Sequence, residues 1–167
     1  MPFFLRTIRK AKWYKNEDVS WLAEGELQAD ALADLATKGN ELSVWHVEDD
    51  RSNLEQVVTA LAAGRDNIAN LDYALFDQQI LSAINIKIQE TKGGSPDEKV
   101  NAWHRDLVEL SATKLMGLAQ AIQTEAAKER ILPKDIIRLI KRAMASRQIE
   151  RAKLKPGVAV KIENDRP

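Results

Sequence analysis

The predicted fold depends most on residues 133–144, Pro-Lys-Asp-Ile-Ile-Arg-Leu-Ile-Lys-Arg-Ala-Met. Proline suits the first position of a helix, because the N–H that it lacks would have no partner there. The apolar residues that follow recur at intervals of three and four, which predicts a helix with one buried face. That buried stripe consists of Ile136, Leu139, Ile140, Ala143 and Met144.

A longer helix is expected just before this one. The segment Ser95-Pro96-Asp97-Glu98 combines a capping serine, a proline and early acids, which is typical of a helix start. Helical spacing then continues to about residue 128 along Val100, Trp103, Leu107, Leu110, Leu115, Leu118 and Ile122. Because Pro133 interrupts the pattern, the two helices are predicted to form a long antiparallel hairpin.

The first half of the chain is predicted to be a small sheet with helices. Segments rich in β-branched or alternating apolar residues predict strands at residues 3–13, 42–47 and 84–88. An acidic helix is expected over residues 26–37, and the capping box Ser52-Asn53-Leu54-Glu55 predicts the start of another. Residues 70–82 are interpreted as a helix, although Tyr73 and Phe76 would also suit a strand.

Together these elements predict an α+β protein that is predominantly helical and forms a single domain, residues 1–167. Its subregions are a small α/β part, residues 1–92, and the helical hairpin, residues 95–156. A glycine-rich loop joins them. A short C-terminal strand at residues 158–162 is expected to complete the sheet.

Composition excludes several classes of protein. The absence of cysteine rules out disulfides, zinc ribbons, iron–sulfur clusters and thiol nucleophiles, and it removes any sign of an oxidising compartment. The apolar patch before Arg6 is far shorter than the roughly 20 residues that span a bilayer. We therefore expect a soluble cytoplasmic protein with no membrane partner.

Charge sums to zero but is unevenly distributed along the chain. Residues 1–16 carry five bases and no acid, and residues 17–56 carry eleven acids and two bases. Residues 128–156 carry ten bases and three acids. Either these segments pair with one another in the folded protein, or a basic face is left for an anionic partner.

Two aromatic residues, Trp13 and Tyr14, adjoin the basic N-terminal segment. An exposed aromatic beside cations would suit a partner-binding surface or a stacking platform for single-stranded nucleic acid. Burial of the tryptophan with a hydrogen-bonded indole is the favoured interpretation.

The basic C-terminal helix is the predicted partner-binding element. Its cations are Lys134, Arg138, Lys141, Arg142, Arg147 and Arg151, and the first four recur at intervals of three and four beside the apolar stripe. We expect it to bind a protein partner or a second copy of the chain. Nucleic acid is possible, but zero net charge disfavours it. Acids of residues 17–56 could also cover this helix internally.

Imidazole chemistry is limited to His46 and His104, and each follows a tryptophan and has an acid nearby, Asp49 or Asp106. If these four side chains met, they could hold a divalent metal that activates water for hydrolysis. The protein would then be a metal-dependent hydrolase or nuclease. The simpler interpretation of His104 is a histidine beside the core that makes one hydrogen bond.

Motifs for covalent or nucleotide chemistry are missing: there is no Gly-x-Ser-x-Gly, no Walker sequence and no Gly-x-Gly-x-x-Gly after a strand. We therefore assign no catalytic residue, cofactor or metal site. The sequence predicts a non-enzymatic interaction module that binds a protein or anionic partner through its basic C-terminal helix. The alternatives are the metal-dependent hydrolase and a self-assembling structural protein.

Overall fold

The computed structural model describes residues 1–13 and 20–165, so Tyr14 lies outside the described residues. The strands are β1 (Phe3–Ile8), β2 (Leu42–Val47), β3 (Leu71–Asp77), β4 (Lys87–Glu90), β5 (His104–Val108) and β6 (Ala127–Ile131). The α-helices are α1 (Leu54–Ala63), α2 (Gln78–Ala83), α3 (Glu98–Asn101), α4 (Ala112–Thr124), α5 (Pro133–Ala145) and α6 (Pro156–Asn164). Short 3₁₀ segments occur at Lys10–Lys12, Ala29–Leu35 and Arg151–Lys153.

The described residues form one six-stranded sheet in the order β4-β5-β2-β1-β3-β6. Each strand runs antiparallel to its neighbours. Strand β5, from the second half of the chain, lies between β4 and β2, and β6 extends the sheet beyond β3. Both predicted subregions therefore contribute strands to the same sheet.

Helices cover both faces of the sheet, because the central strands β1, β2 and β3 place apolar side chains on both sides. Leu5 and Trp45 belong to a core that α1, α5 and α6 complete, which we call the α5 face. Phe4 and Val44 belong to a second core that Ala29–Leu35, α2 and α4 complete, which we call the α4 face.

The predicted long helical hairpin is wrong. The segment expected to be its first helix is instead divided into α3, β5, α4 and β6. Its apolar stripe does not line one helix face: Val100 packs in the core of the α5 face, whereas Leu107 and Leu118 pack on the α4 face. A spacing of seven residues fits two helical turns. Here, however, Val100 lies in α3 and Leu107 lies in β5, with a turn between the two elements. The spacing alone does not distinguish these cases.

Two further element assignments are corrected by the structure. Residues 70–82 contain strand β3 before the short helix α2. This strand is buried on both faces, so its sequence lacks the alternation of apolar and polar residues that would identify it. Residues 158–162 lie in helix α6 instead of a strand. Val158 and Ile162 are buried four residues apart on one helix face, after a proline at the helix start.

Several local predictions are confirmed. Residues 42–47 form β2 with the predicted bounds, and β1 occupies most of the expected first strand. A helix starts close to the predicted capping box, at Leu54, although Asn53 makes no capping hydrogen bond with its side chain. Among residues 1–13 and 20–165, no helix is both long and apolar enough to cross a bilayer.

Candidate partner-binding surface

Helix α5 begins at Pro133 as predicted but ends at Ala145, short of the predicted end near Pro156, and it has a buried and an exposed side. Pro133 occupies its first turn, and Leu132 is the capping residue. The buried side chains are Ile136, Ile137, Leu139, Ile140 and Ala143, which pack with α1 and the sheet. This apolar contact fixes the orientation of the helix and leaves its opposite side toward solvent.

The solvent side of α5 carries the cations Lys134, Arg138, Lys141 and Arg142, which we call the basic face. Lys134, Arg138 and Arg142 are exposed, and Lys141 is half-buried. At a rise of 1.5 Å per residue, the basic face extends over about 12 Å along the helix axis. The structure therefore brings these four predicted binding residues together on one surface.

The chain's own carboxylates pair with part of the basic face. Arg138 lies 3.0 Å from Asp135, one turn earlier on the same helix. Arg142 lies 2.5 Å from Glu55 of α1. Lys141 lies 2.8 Å from the Asp165 carboxylate, and Lys134 makes no ion pair with a described residue.

These ion pairs are too exposed to hold the cations firmly. The Arg138 and Arg142 side chains are 75% and 61% exposed within their pairs. Pairs of this kind contribute at most about 1 kcal/mol, because water and salt screen them. A stronger anion could therefore replace the internal carboxylates at little cost.

The two remaining predicted residues, Arg147 and Arg151, follow the end of α5. Both are exposed. Arg151 donates to Glu163 of α6, with Nε 2.6 Å from the carboxylate, whereas Arg147 makes no ion pair with a described residue. They extend the cationic surface past the helix, next to the exposed Lys153 and Lys155.

Internal pairing accounts for the N-terminal basic segment instead. Asp34 accepts hydrogen bonds from the Arg9 backbone N–H at 2.7 Å, the Arg9 Nε at 2.8 Å and the Trp13 indole at 2.9 Å. Arg6 donates to the Asp34 carbonyl, and Lys12 pairs with Asp30. Acids of residues 17–56 thus pair with Arg9 and Lys12, whereas of these acids only Glu55, among the described residues, reaches the basic face.

Trp13 is buried, with 1% of its surface exposed, and its indole is hydrogen-bonded to Asp34. Burial, the favoured interpretation of this tryptophan, is therefore confirmed. Tyr14 lies outside the described residues.

The sheet separates the two histidines. In the β2–β5 pair, Trp45 lies opposite His104, and the two rings contact edge to face at 4.8 Å. Because side chains alternate along a strand, His46 points to the other face, where its ring contacts Phe4 at 6.0 Å. His104 lies on the α5 face and His46 on the α4 face, so they do not share a site.

The nearby acids do not complete a metal site either. Asp49 lies 3.2 Å from the N-terminal amine of Met1, in the turn after β2. Asp106 accepts a hydrogen bond from Ser43 at 3.0 Å and lies 3.9 Å from His104 Nε2. Within the described parts of the chain, no group of three or more potential ligands is placed to hold a metal ion.

His104 has the single hydrogen bond that the simpler interpretation expects. Its Nδ1 lies 2.7 Å from the Thr91 hydroxyl. Burial lowers the pKa of His104 below its ordinary value of 6.5, and the opposing effect of the Asp106 charge is smaller. The residue is therefore held neutral at physiological pH, as a structural histidine beside Trp45.

Sequence reasoning missed a groove beside the basic face. It has a volume of about 420 Å³ and lies between α1, β3, β6 and the first turns of α5. Arg51, Tyr73 and Arg138 line it together with acids and apolar side chains. Its polar residues come from separate parts of the chain, and Tyr73 lies in the segment that resembled a helix, so no local motif could reveal it.

Comparison with protein-family models, with curated proteins and with solved structures finds no match for this chain.

Proposed function

We propose that this protein is a non-enzymatic interaction module that binds an acidic segment of a partner protein through the basic face of α5. One observation supports this most: α5 buries its isoleucines and its leucine and presents Lys134, Arg138, Lys141 and Arg142 together on the opposite side. Of the carboxylates that pair with these cations, Glu55 and Asp165 are exposed and Asp135 is half-buried, and such surface pairs are easily displaced.

A protein partner is favoured over nucleic acid for electrostatic reasons. Formal net charge is zero, so a long polyanion would meet as many acids as bases on this chain. Nucleic-acid-binding domains usually carry a marked basic excess. The basic face, about 12 Å long, matches about four residues of an extended acidic segment, which engages the cations without reaching the acids elsewhere.

Fluorescence anisotropy with a labelled poly-glutamate peptide tests the proposal. We expect saturable binding that weakens as salt rises, because salt screens exposed charges beyond about 8 Å at physiological strength. Arg138→Glu combined with Arg142→Glu should weaken binding at least about tenfold, since attraction becomes repulsion. Binding that is absent, or unaffected by salt and by the double substitution, would contradict the proposal.

A matched control separates the basic face from net charge. Lys87 on β4 and Lys92 after it are exposed and each pairs with one acid, at the opposite edge of the sheet from β6. Lys87→Glu with Lys92→Glu changes the net charge by the same amount. It should leave poly-glutamate binding within about twofold of wild type.

Removing the internal competitor should have the opposite effect. Glu55→Gln removes the carboxylate that pairs with Arg142, so this arginine becomes free for the partner. We expect poly-glutamate to bind about two- to fivefold more tightly, with the fold unchanged because the pair is exposed. An unchanged or weaker affinity would show that Arg142 does not contact the peptide.

The competing arrangement is self-assembly, in which acids of one copy meet the basic face of another. If the basic face binds a different protein, light scattering at low salt should give the mass of a monomer. An oligomer that dissociates as salt rises and that Arg138→Glu disrupts would assign the face to self-assembly instead.

Because the chain has no cysteine, the proposal places the protein in the cytoplasm.

A further inference from the structure

The groove beside the basic face contains two hydrogen-bond donors that have no partner among the described residues. It has a volume of about 420 Å³, and Arg51 and Tyr73 line it from different elements. Arg138 of the basic face lines its rim. The groove is therefore continuous with the surface that we propose to bind the partner.

Arg51 is held in place by contacts that leave its charge free. Its backbone is in the left-handed region, with φ of 58°, and its N–H donates to the Glu48 carbonyl at 2.9 Å. The guanidinium lies over the Phe3 ring, 4.8 Å from the centroid. In the part of the chain that the structure describes, this guanidinium forms no ion pair or hydrogen bond. A planar guanidinium of this kind is suited to two-point binding of a phosphate or carboxylate.

Tyr73 supplies the second unused donor. Only 6% of the residue is exposed, yet its hydroxyl makes no hydrogen bond with any described residue. Burial raises the pKa of Tyr73, with Glu129 adding to the effect and Arg51 opposing it. The phenol therefore stays protonated and can donate a hydrogen bond to a ligand in the groove.

The other charged residues of the groove are neutralised locally. Asp135 pairs with Arg138, and Glu55 pairs with Arg142. Arg130 is held by both carboxylate oxygens of Asp72, at 2.7 and 2.9 Å. Among the described residues that line the groove, Arg51 is therefore the cation without an ion-pair partner, and Glu129, opposite Tyr73 on β6, adds one negative charge nearby.

We propose that this groove binds a phosphorylated side chain of the partner, with Arg51 and Tyr73 donating to the phosphate and Arg138 flanking it. The inference rests on the proposed function, because the acids around the phosphorylated residue would contact the basic face. A phosphoserine carries a charge of about −1.5 to −2 at neutral pH, against −1 for a carboxylate, and has three acceptor oxygens. Such a group satisfies both unused donors at once.

The test compares three labelled peptides, each with glutamates on both sides of a central phosphoserine, serine or glutamate. Anisotropy titrations should give the phosphoserine peptide at least about tenfold higher affinity than the other two. Arg51→Gln should remove that preference and leave the serine peptide within about twofold of wild type. Tyr73→Phe, which keeps the buried ring, should reduce the preference about two- to fivefold.

The possible outcomes are distinguishable. If no peptide binds, the proposed function fails, and this inference fails with it. If all three bind equally, or if Arg51→Gln retains the preference, the phosphate site is overturned while the basic face stands. A single-stranded DNA oligonucleotide that binds more tightly than the phosphopeptide and depends on Arg51 would also overturn it. Circular dichroism of each variant confirms that the fold is intact.

Discussion

Asp34 shows how one residue fixes the N-terminal segment to the rest of the fold. Its carboxylate is 7% exposed and accepts hydrogen bonds from the Arg9 backbone and side chain and from the Trp13 indole. Trp13 is buried, so its N–H has no access to water if this acceptor is lost. The N-terminal cations Arg9 and Lys12, which could suggest a binding surface, therefore pair with acids of the same chain.

Asp34→Ala should lower the free energy of unfolding by about 1–3 kcal/mol, because it leaves a buried indole N–H without an acceptor. Urea denaturation followed by tryptophan fluorescence measures the change. Asp30→Ala is the matched control, since Asp30 is 71% exposed and pairs only with Lys12 in a surface ion pair. Equal losses for the two variants would contradict this account of Asp34.

His104 makes a pH-dependent contribution to stability. Burial lowers its pKa in the folded protein below the ordinary value of 6.5. As the pH falls through that value, the unfolded chain takes up a proton at this histidine before the folded protein does, so acid favours unfolding. The contribution is complete above about pH 6.5 and is lost as the pH falls toward the folded-state pKa.

We therefore expect the urea midpoint of the wild type to fall more between about pH 7.5 and about pH 5.5 than the midpoint of His104→Gln. Above about pH 7.5 the two proteins should respond to pH alike, whatever their absolute stabilities. Parallel curves over the acidic interval would mean that His104 titrates with the same pKa in both states.

At the scale of elements, the loop after β4 is a packing site and not the plain linker that its glycines suggest. A Cβ on Gly93 would lie 2.5 Å from the Trp45 ring, which belongs to the core of the α5 face. The adjacent Gly94 has nothing within 4 Å of its Cβ position. The two glycines are neighbours in sequence but differ completely in what they contact.

Gly93→Ala should destabilise the protein by about 1–3 kcal/mol, because the buried tryptophan must move to accommodate the methyl group. Gly94→Ala should have little effect or stabilise slightly, through reduced freedom of the unfolded chain. Thermal denaturation of both variants checks the contrast. Similar melting temperatures for the two would show that the loop does not approach Trp45 closely.

The elements that sequence could predict are those with a local signal. Helix α5 has a proline start and a consistent apolar stripe, so its start was predicted correctly, although it ends at Ala145 and not near Pro156. Strand β2 has a compact set of β-branched and aromatic residues and was predicted with the correct bounds. Strand β3 was missed because it is buried on both faces and shows no alternation. Strand β5 was missed because Trp103 and Leu107 fit a helical spacing equally well.

At the scale of the whole molecule, what sequence could not predict depends on contacts between distant segments. Pairing of β5 with β2 and of β6 with β3 joins the two halves of the chain and puts helices on both faces. The same long-range pairing separates His46 from His104 and brings Arg51 and Tyr73 to one groove. The basic face could be predicted from residues alone because it lies on one helix.

The central claim is that anionic partners bind at the basic face of α5. A titration of ¹⁵N-labelled protein with poly-glutamate, followed by ¹H–¹⁵N correlation spectra, locates the contact residue by residue. We predict that the largest shift changes fall on Lys134, Arg138, Lys141 and Arg142, with the amides of β4 unchanged. Largest changes at another surface, with the amides of α5 unaffected, would contradict the account.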